Sequence, residues 1–302
     1  METLVILNPW AGRGLGRKHR GQTLRGLKDA GLTFELAETT GPGHALALAR
    51  EAVANGITRI IVAGGDGTVH EVANALLDAA PASDGATPAA VGCIPLGTGD
   101  DFAKLIGVYG LPPEAAAARM VHAGTAVFDV GKAWSEYFVN IFGVGFDAEV
   151  VRQANKIRRL KGLAVYLAAI YKTFVRFRAP TLEITSREHS ESAAMMMLTA
   201  AIGISGGGSF YLTPQADPMD GLLDICLIRK VGMMTFLRAV PKVMKGTHAT
   251  LDEVAMFRTR SVTIRSSGAP LVVQLDGELR EPGLNEVEVT IEPQRLRVLV
   301  GR

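Results

Sequence analysis
A chain of 302 residues with 48% apolar and 21% charged residues is longer than one typical core and too hydrophobic for disorder, so two globular domains are expected. A net charge of +2 gives no global argument for nucleic acid, and any basic surface has to be local. Cys93 and Cys226 lie far apart without a CxxC spacing, which argues against a disulfide framework or zinc site and for a reducing cytoplasm.

In chain order, TLVILN (3–8) reads as a strand, RGQTLRGLKDAG (20–31) as a helix and LTFELAETT (32–40) as a strand. GHALALAREAVANG (43–56) is a helix, TRIIVAGG (58–65) a strand, TVHEVANALLDAA (68–80) a helix and AAVGCIPLG (89–97) a strand. This alternation, up to about residue 128, predicts an α/β domain in three layers, a parallel sheet with helices on both faces. Ligands of such sheets gather at the carboxyl ends of the strands. The chemically unusual stretches stand there: NPWAGRG (8–14), TTGPGH (39–44), GGDGT (64–68) and PLGTGDDF (95–102).

From about residue 129 to 302 the rhythm is AVFDVGKA, YFVNIFGVG, PTLEITS, AAMMMLTAAIGI, GLLDICLIR, SVTIRS, PLVVQLDGE, NEVEVTIE and RLRVLV. Many short strands between turn residues predict an antiparallel β-sandwich or barrel. Helices are expected only over 148–177 and 232–256. No period of 20–50 residues recurs and no segment is low in complexity.

Two motifs fail on context. GRGLG (12–16) lacks the G-x-G-x-x-G spacing, and no Walker sequence is present. GISGG (203–207) matches a nucleophile elbow at Ser205, but GGSFYLTPQADP follows where a helix is required. GGDGT has two open readings. One is an ordinary strand-to-helix turn in which Asp66 or Thr68 caps the helix, whose apolar face carries Val69, Val72, Ala73 and Leu76. The other is a phosphate site, where small residues admit phosphate oxygens to backbone N–H groups. PLGTGDDFA (95–103) repeats the pattern of glycine, threonine and carboxylate. Asp66, Asp100 and Asp101 at one sheet edge would suit Mg²⁺ and its waters bridging to phosphates, with Arg13, Arg17 and Lys18 supplying positive charge.

NPWAGRG, TTGPGHA, GGDGTVHEVANAL, PLGTGDDFAK, FVNIFGVGFDAEV, DPMDGLLDI and LDGE occur in the order of comparable motifs in the bacterial diacylglycerol kinase-like lipid kinases, which the chain resembles from about residue 4 to 300. That family is similar to sphingosine and eukaryotic diacylglycerol kinases and, more distantly, to NAD kinases. The resemblance implies an N-terminal α/β nucleotide domain (1–128) and a C-terminal β-sandwich (129–302), with ATP in the cleft between them. The last strand, about 294–302, would return to the first domain. It further implies transfer of the γ-phosphate of ATP to a lipid hydroxyl with Mg²⁺ as cofactor. Carried onto matching positions, Asn8, Gly12, Arg13, Thr39, Gly64, Gly65, Asp66, Gly67, Thr68, Val69, His70, Glu71, Thr98 and Asp101 would line the nucleotide site. Asp66 and Asp101 would sit in its magnesium and water network. Asp276 would be the general base with Glu278 in support, and Asp217, Asp220 and Leu222 would hold a structural magnesium.

LDGE also has the reading of a plain Asp-Gly hairpin. Asp100 stands where the family usually has Asn, His70 where Asn is frequent, and GISGGGSF lacks the Asn-Gly often found before the glycines. An NAD kinase is disfavoured because PLGTGDDFA stands in place of that family's N-x-G-x-L-G-F. A non-catalytic nucleotide or lipid sensor is the reading from another class.

METLVILNPWAGRG has no basic n-region and does not read as a signal peptide. MMMLTAAIGI (195–204) and LAVYLAAIY (163–171) fall short of the roughly 20 residues that span a bilayer. A cytoplasmic protein, peripheral on the inner membrane face, is expected. Residues 152–178, with eight basic residues and no acid, read either as a docking segment for an anionic membrane or as a core helix with solvated ends. Nothing fixes the oligomeric state, with a homodimer open.

Overall fold
The computed structural model describes residues 2–80, 85–156 and 163–301, and the chain divides into two compact units, Met1–Val130 with Glu292–Arg302 and Gly131–Ile291. The first unit runs β1 (Thr3–Leu7), α1 (Ala11–Asp29), β2 (Glu35–Glu38), α2 (His44–Ala54), β3 (Arg59–Gly64), α3 (Asp66–Asp78), β4 (Ala90–Pro95), α4 (Asp101–Leu105) and α5 (Pro113–Val121). Its strands pair in parallel in the order β2, β1, β3, β4, and Val298 of the returning C-terminal segment lies opposite Val91 of β4. All five residues of β1 are buried, as expected of a parallel strand covered on both faces. With this strand order the right-handed crossover rule puts α1 on one face and α2 and α3 on the other, and α1 packs on α5 and α2 on α3. These are the three layers read from the alternation. A Cβ at Gly26 would come within 2.8 Å of the Glu114 backbone, so glycine sets how closely α1 and α5 approach.

β5 (Gly124–Ala133) leads into the second unit, which continues through β6 (Glu136–Phe138), β7 (Ile141–Gly145), α6 (Phe146–Lys156), α7 (Leu163–Arg176), β8 (Thr181–Thr185), β9 (Ser190–Ala201), β10 (Leu223–Arg229) and α8 (Met233–Met244). The remaining strands are β11 (Val254–Thr259), β12 (Ser261–Ser266), β13 (Val273–Leu275), β14 (Glu278–Arg280) and β15 (Glu286–Val300). The pairings within this unit are antiparallel. One half of the long β9 pairs with β8 through Thr181 and Ala194, and the other half with β7 and β10, so this strand joins the two sheets. Alternate residues of β8 and β12 point into a shared core of Phe142, Leu182, Ile184, Leu198, Ile225 and Ile264. A second cluster lies under α6, α7 and α8, where Phe146, Phe174 and Phe236 meet Met196 and Cys226.

Two helical expectations need correction. The helix expected over 232–256 ends at Met244, because Gly246 takes φ 67°, a left-handed conformation that terminates helices; Val254–Thr259 is instead a strand paired with β10. Within 148–177, two helices are present, and Arg158, Arg159, Leu160 and Lys161 lie outside the described residues. Among the described residues, no helix is long and apolar enough to cross a membrane. Ser205 is buried and no helix follows it; Gly206 and Phe210 close a tight bridge, which removes the nucleophile-elbow reading.

Candidate active site
In the order β2, β1, β3, β4 the chain leaves β1 in one direction for β2 and then crosses to β3, so the switch point lies between β1 and β3. Open α/β sheets bind ligands outside the carboxyl ends of their strands at such a point. Two glycine-bearing loops flank it, and a hydrogen bond joins them: Asn8 Nδ2 donates to Thr68 Oγ1 at 2.9 Å. Asn8 Oδ1 accepts from Trp10 N at 3.0 Å, shaping the turn that follows β1. Gly12, Arg13 and Gly14 then take φ of 57°, 60° and 96°, and a Cβ at Gly12 would strike Leu96 O at 2.3 Å. Arg13, Arg17 and Lys18 are exposed beside this turn, and the Arg17 guanidinium lies 4.4 Å from the centre of the Trp10 ring.

The loops after β3 and β4 touch backbone to backbone. Leu96 N donates to Gly64 O at 2.9 Å, and a Cβ at Gly97 would come within 2.7 Å of Gly65 Cα. Asp66 Oδ1 accepts from Phe102 N at 3.0 Å. Asp66 thus bonds to the start of α4 across the two loops, and the N-cap position of α3 is Gly65, which has no side chain to cap it. Asp100, at φ 53°, accepts from Gly97 N at 2.8 Å. Buried Asp101 pairs with Lys104 at 2.7 Å, and Lys104 Nζ in turn lies 4.8 Å from the Tyr109 ring. Burial, then the charges of Asp101 and Asp100, pushes the Asp66 carboxyl up to about 8. Burial, with Asp101 adding to it, pushes Asp100 up to about 6.

The other expected nucleotide residues divide. Gly64, Gly65, Asp66, Gly67, Thr68, Asn8 and Gly12 come together at the switch point, buried Thr39 ends β2 beside it through Thr39 N donating to Leu7 O, and Thr98 is exposed on the β4 loop. Val69 and His70 are buried in α3, where the His70 carbonyl accepts from Asn74 Nδ2. Glu71 turns to α2, accepting from Gly43 N at 2.8 Å and Ala45 N at 3.1 Å at that helix's N-terminus.

In the second unit, Asp276 and Gly277 form the turn between β13 and β14 with φ of 50° and 86°, the two left-handed positions of a type I′ hairpin. The carboxylate is also clamped. Asp276 Oδ2 accepts from Val139 N at 2.9 Å, and Oδ1 from Asn140 N at 2.9 Å and Ile141 N at 3.0 Å. Glu278, the first residue of β14, is exposed. Gln274 supports the turn by accepting from Gly277 N at 2.7 Å and donating to Asp147 at 3.3 Å. Burial pushes Asp147 up to about 6. Sequence reasoning missed Asp147, Gln274, Lys104 and the Val139–Ile141 amides. Only Lys104 had a legible signal, the i,i+3 spacing in DFAK.

Asp217 and Asp220 accept from Met219 N and Leu222 N, each at 3.0 Å, in successive turns. Their positive neighbour is Arg258, 3.7 Å from Asp220 and 3.2 Å from Asp224, which also donates to Gln215 O. Among the described residues, no three His, Cys, Asp or Glu side chains form a group that could hold a metal ion.

The family profile described as "Diacylglycerol kinase catalytic domain" matches residues 2–133, and that of the "YegS C-terminal NAD kinase beta sandwich-like domain" matches residues 140–300. A diacylglycerol kinase of Mycobacterium tuberculosis (strain ATCC 25618 / H37Rv) is 32% identical over 99% of this chain and 94% of its own length. The chain belongs to the diacylglycerol kinase-like lipid kinase family. Within this lipid kinase family, a diacylglycerol kinase of Bacillus subtilis (strain 168) is 29% identical over 91% of the chain and 88% of its own. The fold is that of a diacylglycerol kinase from Bacillus anthracis str. Sterne, with a TM-score of 0.71 at 20% identity over 99% of this chain and 96% of that one. An NAD kinase from Archaeoglobus fulgidus in complex with ATP has the related fold, with a TM-score of 0.54 at 12% identity over 99% and 94% of the two chains.

Proposed function
We propose that this lipid kinase transfers the γ-phosphoryl group of ATP to the hydroxyl of a diacylglycerol-like lipid, and that it requires Mg²⁺. The observation that carries the reading is the meeting of glycine loops at the switch point, beside Asp66, Asp100 and Asp101. Gly12, Gly64, Gly65 and Gly67 leave room for phosphate oxygens, Asn8, Thr39 and Thr98 line the nucleotide, and Arg13 supplies positive charge. The carboxyl oxygens of these acids are of the kind a hard dication takes, and a dication beside Asp66 and Asp100, whose carboxyls burial raises, would favour their charged forms. Asp66 and Asp101 would hold it, largely through water. Bound there, Mg²⁺ would neutralise charge on the phosphate oxygens.

Asp276 is the general base. As the lipid oxygen bonds to phosphorus and the bond to ADP breaks, the hydroxyl proton passes to the carboxylate. The three main-chain N–H donors fix the orientation of the Asp276 carboxylate that would take that proton.

Transfer of label from radioactive ATP, measured over diacylglycerol, phosphatidylglycerol, sphingosine, undecaprenol and NAD, tests the reading. Labelling of diacylglycerol supports it; labelling of NAD alone would make the chain an NAD kinase, and labelling of none would favour a sensor. Asp276→Asn should lower turnover about 10²–10⁴-fold while ATP still binds. Thermal unfolding run alongside separates loss of the base from loss of the amide clamp, and full turnover would remove Asp276 from the mechanism.

A further inference from the structure
Asp147 stands in the first turn of α6, outside both the phosphate loops and the three-amide clamp of Asp276. An acid set there is costly: burial pushes its carboxyl up to about 6, against the pull of the Gln274 amide and of main-chain N–H groups. Starting the helix does not require it, since Ser, Thr or Asn serves a helix N-terminus without charge. Its neighbours are arranged around it. Gly143 of β7 stands opposite Gln274 of β13, and a Cβ at Gly143 would overlap Asp147 Oδ2 and come within 2.7 Å of Gln274 Nε2. Only a residue without a side chain lets the two groups meet.

The direction of each hydrogen bond follows in a row. Asp147 Oδ1 accepts from Ala148 N at 2.8 Å, and Oδ2 from Gln274 Nε2 at 3.3 Å. An ionised carboxylate can only accept, so it takes the NH₂ end of the amide and turns Gln274 Oε1 toward Gly277 N, which donates to it at 2.7 Å. Gly277 follows Asp276, a residue at φ 50° whose left-handed backbone the surrounding bonds must hold.

We propose that Asp147 is a positioning residue for phosphoryl transfer: through Gln274 it sets the turn of Asp276 and Gly277, and so aims the carboxylate that receives the proton of the lipid hydroxyl. The amide clamp holds that carboxylate at its tip, and the Gln274 bond holds the backbone behind it. The role rests on the reading of Asp276 as the general base.

Reversing one hydrogen bond tests it. Asp147→Asn keeps the shape but offers one acceptor where two donors point, so an N–H meets an N–H at Ala148, Gln274 or Gly277. Gln274→Glu sets a second carboxylate against Asp147. With both substitutions the new amide donates to the new carboxylate, whose other oxygen accepts from Gly277 N, and net charge is kept. Each single variant should lower kcat by about 10–10²-fold with KM for ATP unchanged. The double variant should recover to within about threefold of wild type, as coupled partners do. Amide hydrogen exchange at Gly277, read by NMR, should quicken in each single variant and slow again in the double one, whether or not a lipid is turned over. Thermal unfolding run alongside keeps a loss of kcat apart from a loss of fold. Single variants with wild-type kcat, or a double variant no better than the weaker single one, would overturn the positioning role. A wild-type chain that phosphorylates no lipid, with the exchange pattern intact, would instead overturn the kinase reading and leave the hold of Asp147 on the turn in place.

Discussion
Asp100 stands at φ 53° in a conformation that Asp and Asn tolerate better than most residues, with Oδ1 accepting from Gly97 N at 2.8 Å. Asn can keep that geometry, so the turn does not explain the charge. Burial and Asp101 push Asp100 up to about 6, above the ordinary carboxylate value of about 3.9. The folded protein therefore favours the protonated form. That contribution is fully present below about pH 4 and is lost as pH rises through about 6. Asp100→Asn removes the group and its repulsion of Asp66. In metal-free protein it should stabilise the fold at pH 8 by about 1–3 kcal/mol, and by almost nothing at pH 4. Urea unfolding at the two pH values checks this; an equal difference at both would show that charge is not the cause.

Between β3 and β4 the elements meet through glycine rather than side chains. A Cβ at Gly97 would fall 2.5 Å from Asp100 Oδ1 and 2.7 Å from Gly65 Cα, so Gly97→Ala must part the two loops. It should cost about 1–3 kcal/mol and weaken ATP binding, whereas Gly124→Ala, with open space around it, should change neither. Thermal unfolding and titration with a fluorescent ATP analogue read both effects, and tight ATP binding by Gly97→Ala would separate the loop contact from the nucleotide site. The strand-to-helix rhythm and the glycine loops were legible because they are local, one run and one turn at a time. The partner of each polar side chain was not. Glu71 belongs to the same run as GGDGT, yet its carboxylate serves α2, 26 and 28 residues earlier. The α7 and α8 contact was equally hidden, because nothing in either segment encodes which helix it will meet. The end of α8 was misread for another reason: its apolar pattern runs on past Gly246, and only the left-handed backbone there stops the helix.

Across the whole molecule the chain enters the second unit through β5 and leaves it within β15, so the first unit is built from both ends of the sequence. Residues 286–291 of β15 belong to the second unit, with Val289 opposite Val262, while residues 292–300 belong to the first, with Val298 opposite Val91. The returning part buries Leu296, Val298 and Leu299. Buried Arg295 donates from Nη2 to Ala80 O at 2.6 Å, and from Nη1 to Gly85 O. Each buried aliphatic side chain contributes roughly 1.5–3 kcal/mol, so three of them supply about 5–9 kcal/mol. A domain typically has only about 5–15 kcal/mol in total. A chain ending at Ile291 should therefore lose the fold of its first unit and with it ATP binding. The sandwich keeps all its own strand pairings, so it should stay folded. Limited proteolysis should digest residues 1–130 of the truncated chain and leave a protected fragment of about the size of residues 131–291. A truncated chain that still bound ATP would mean that the first unit holds together without its returning strand.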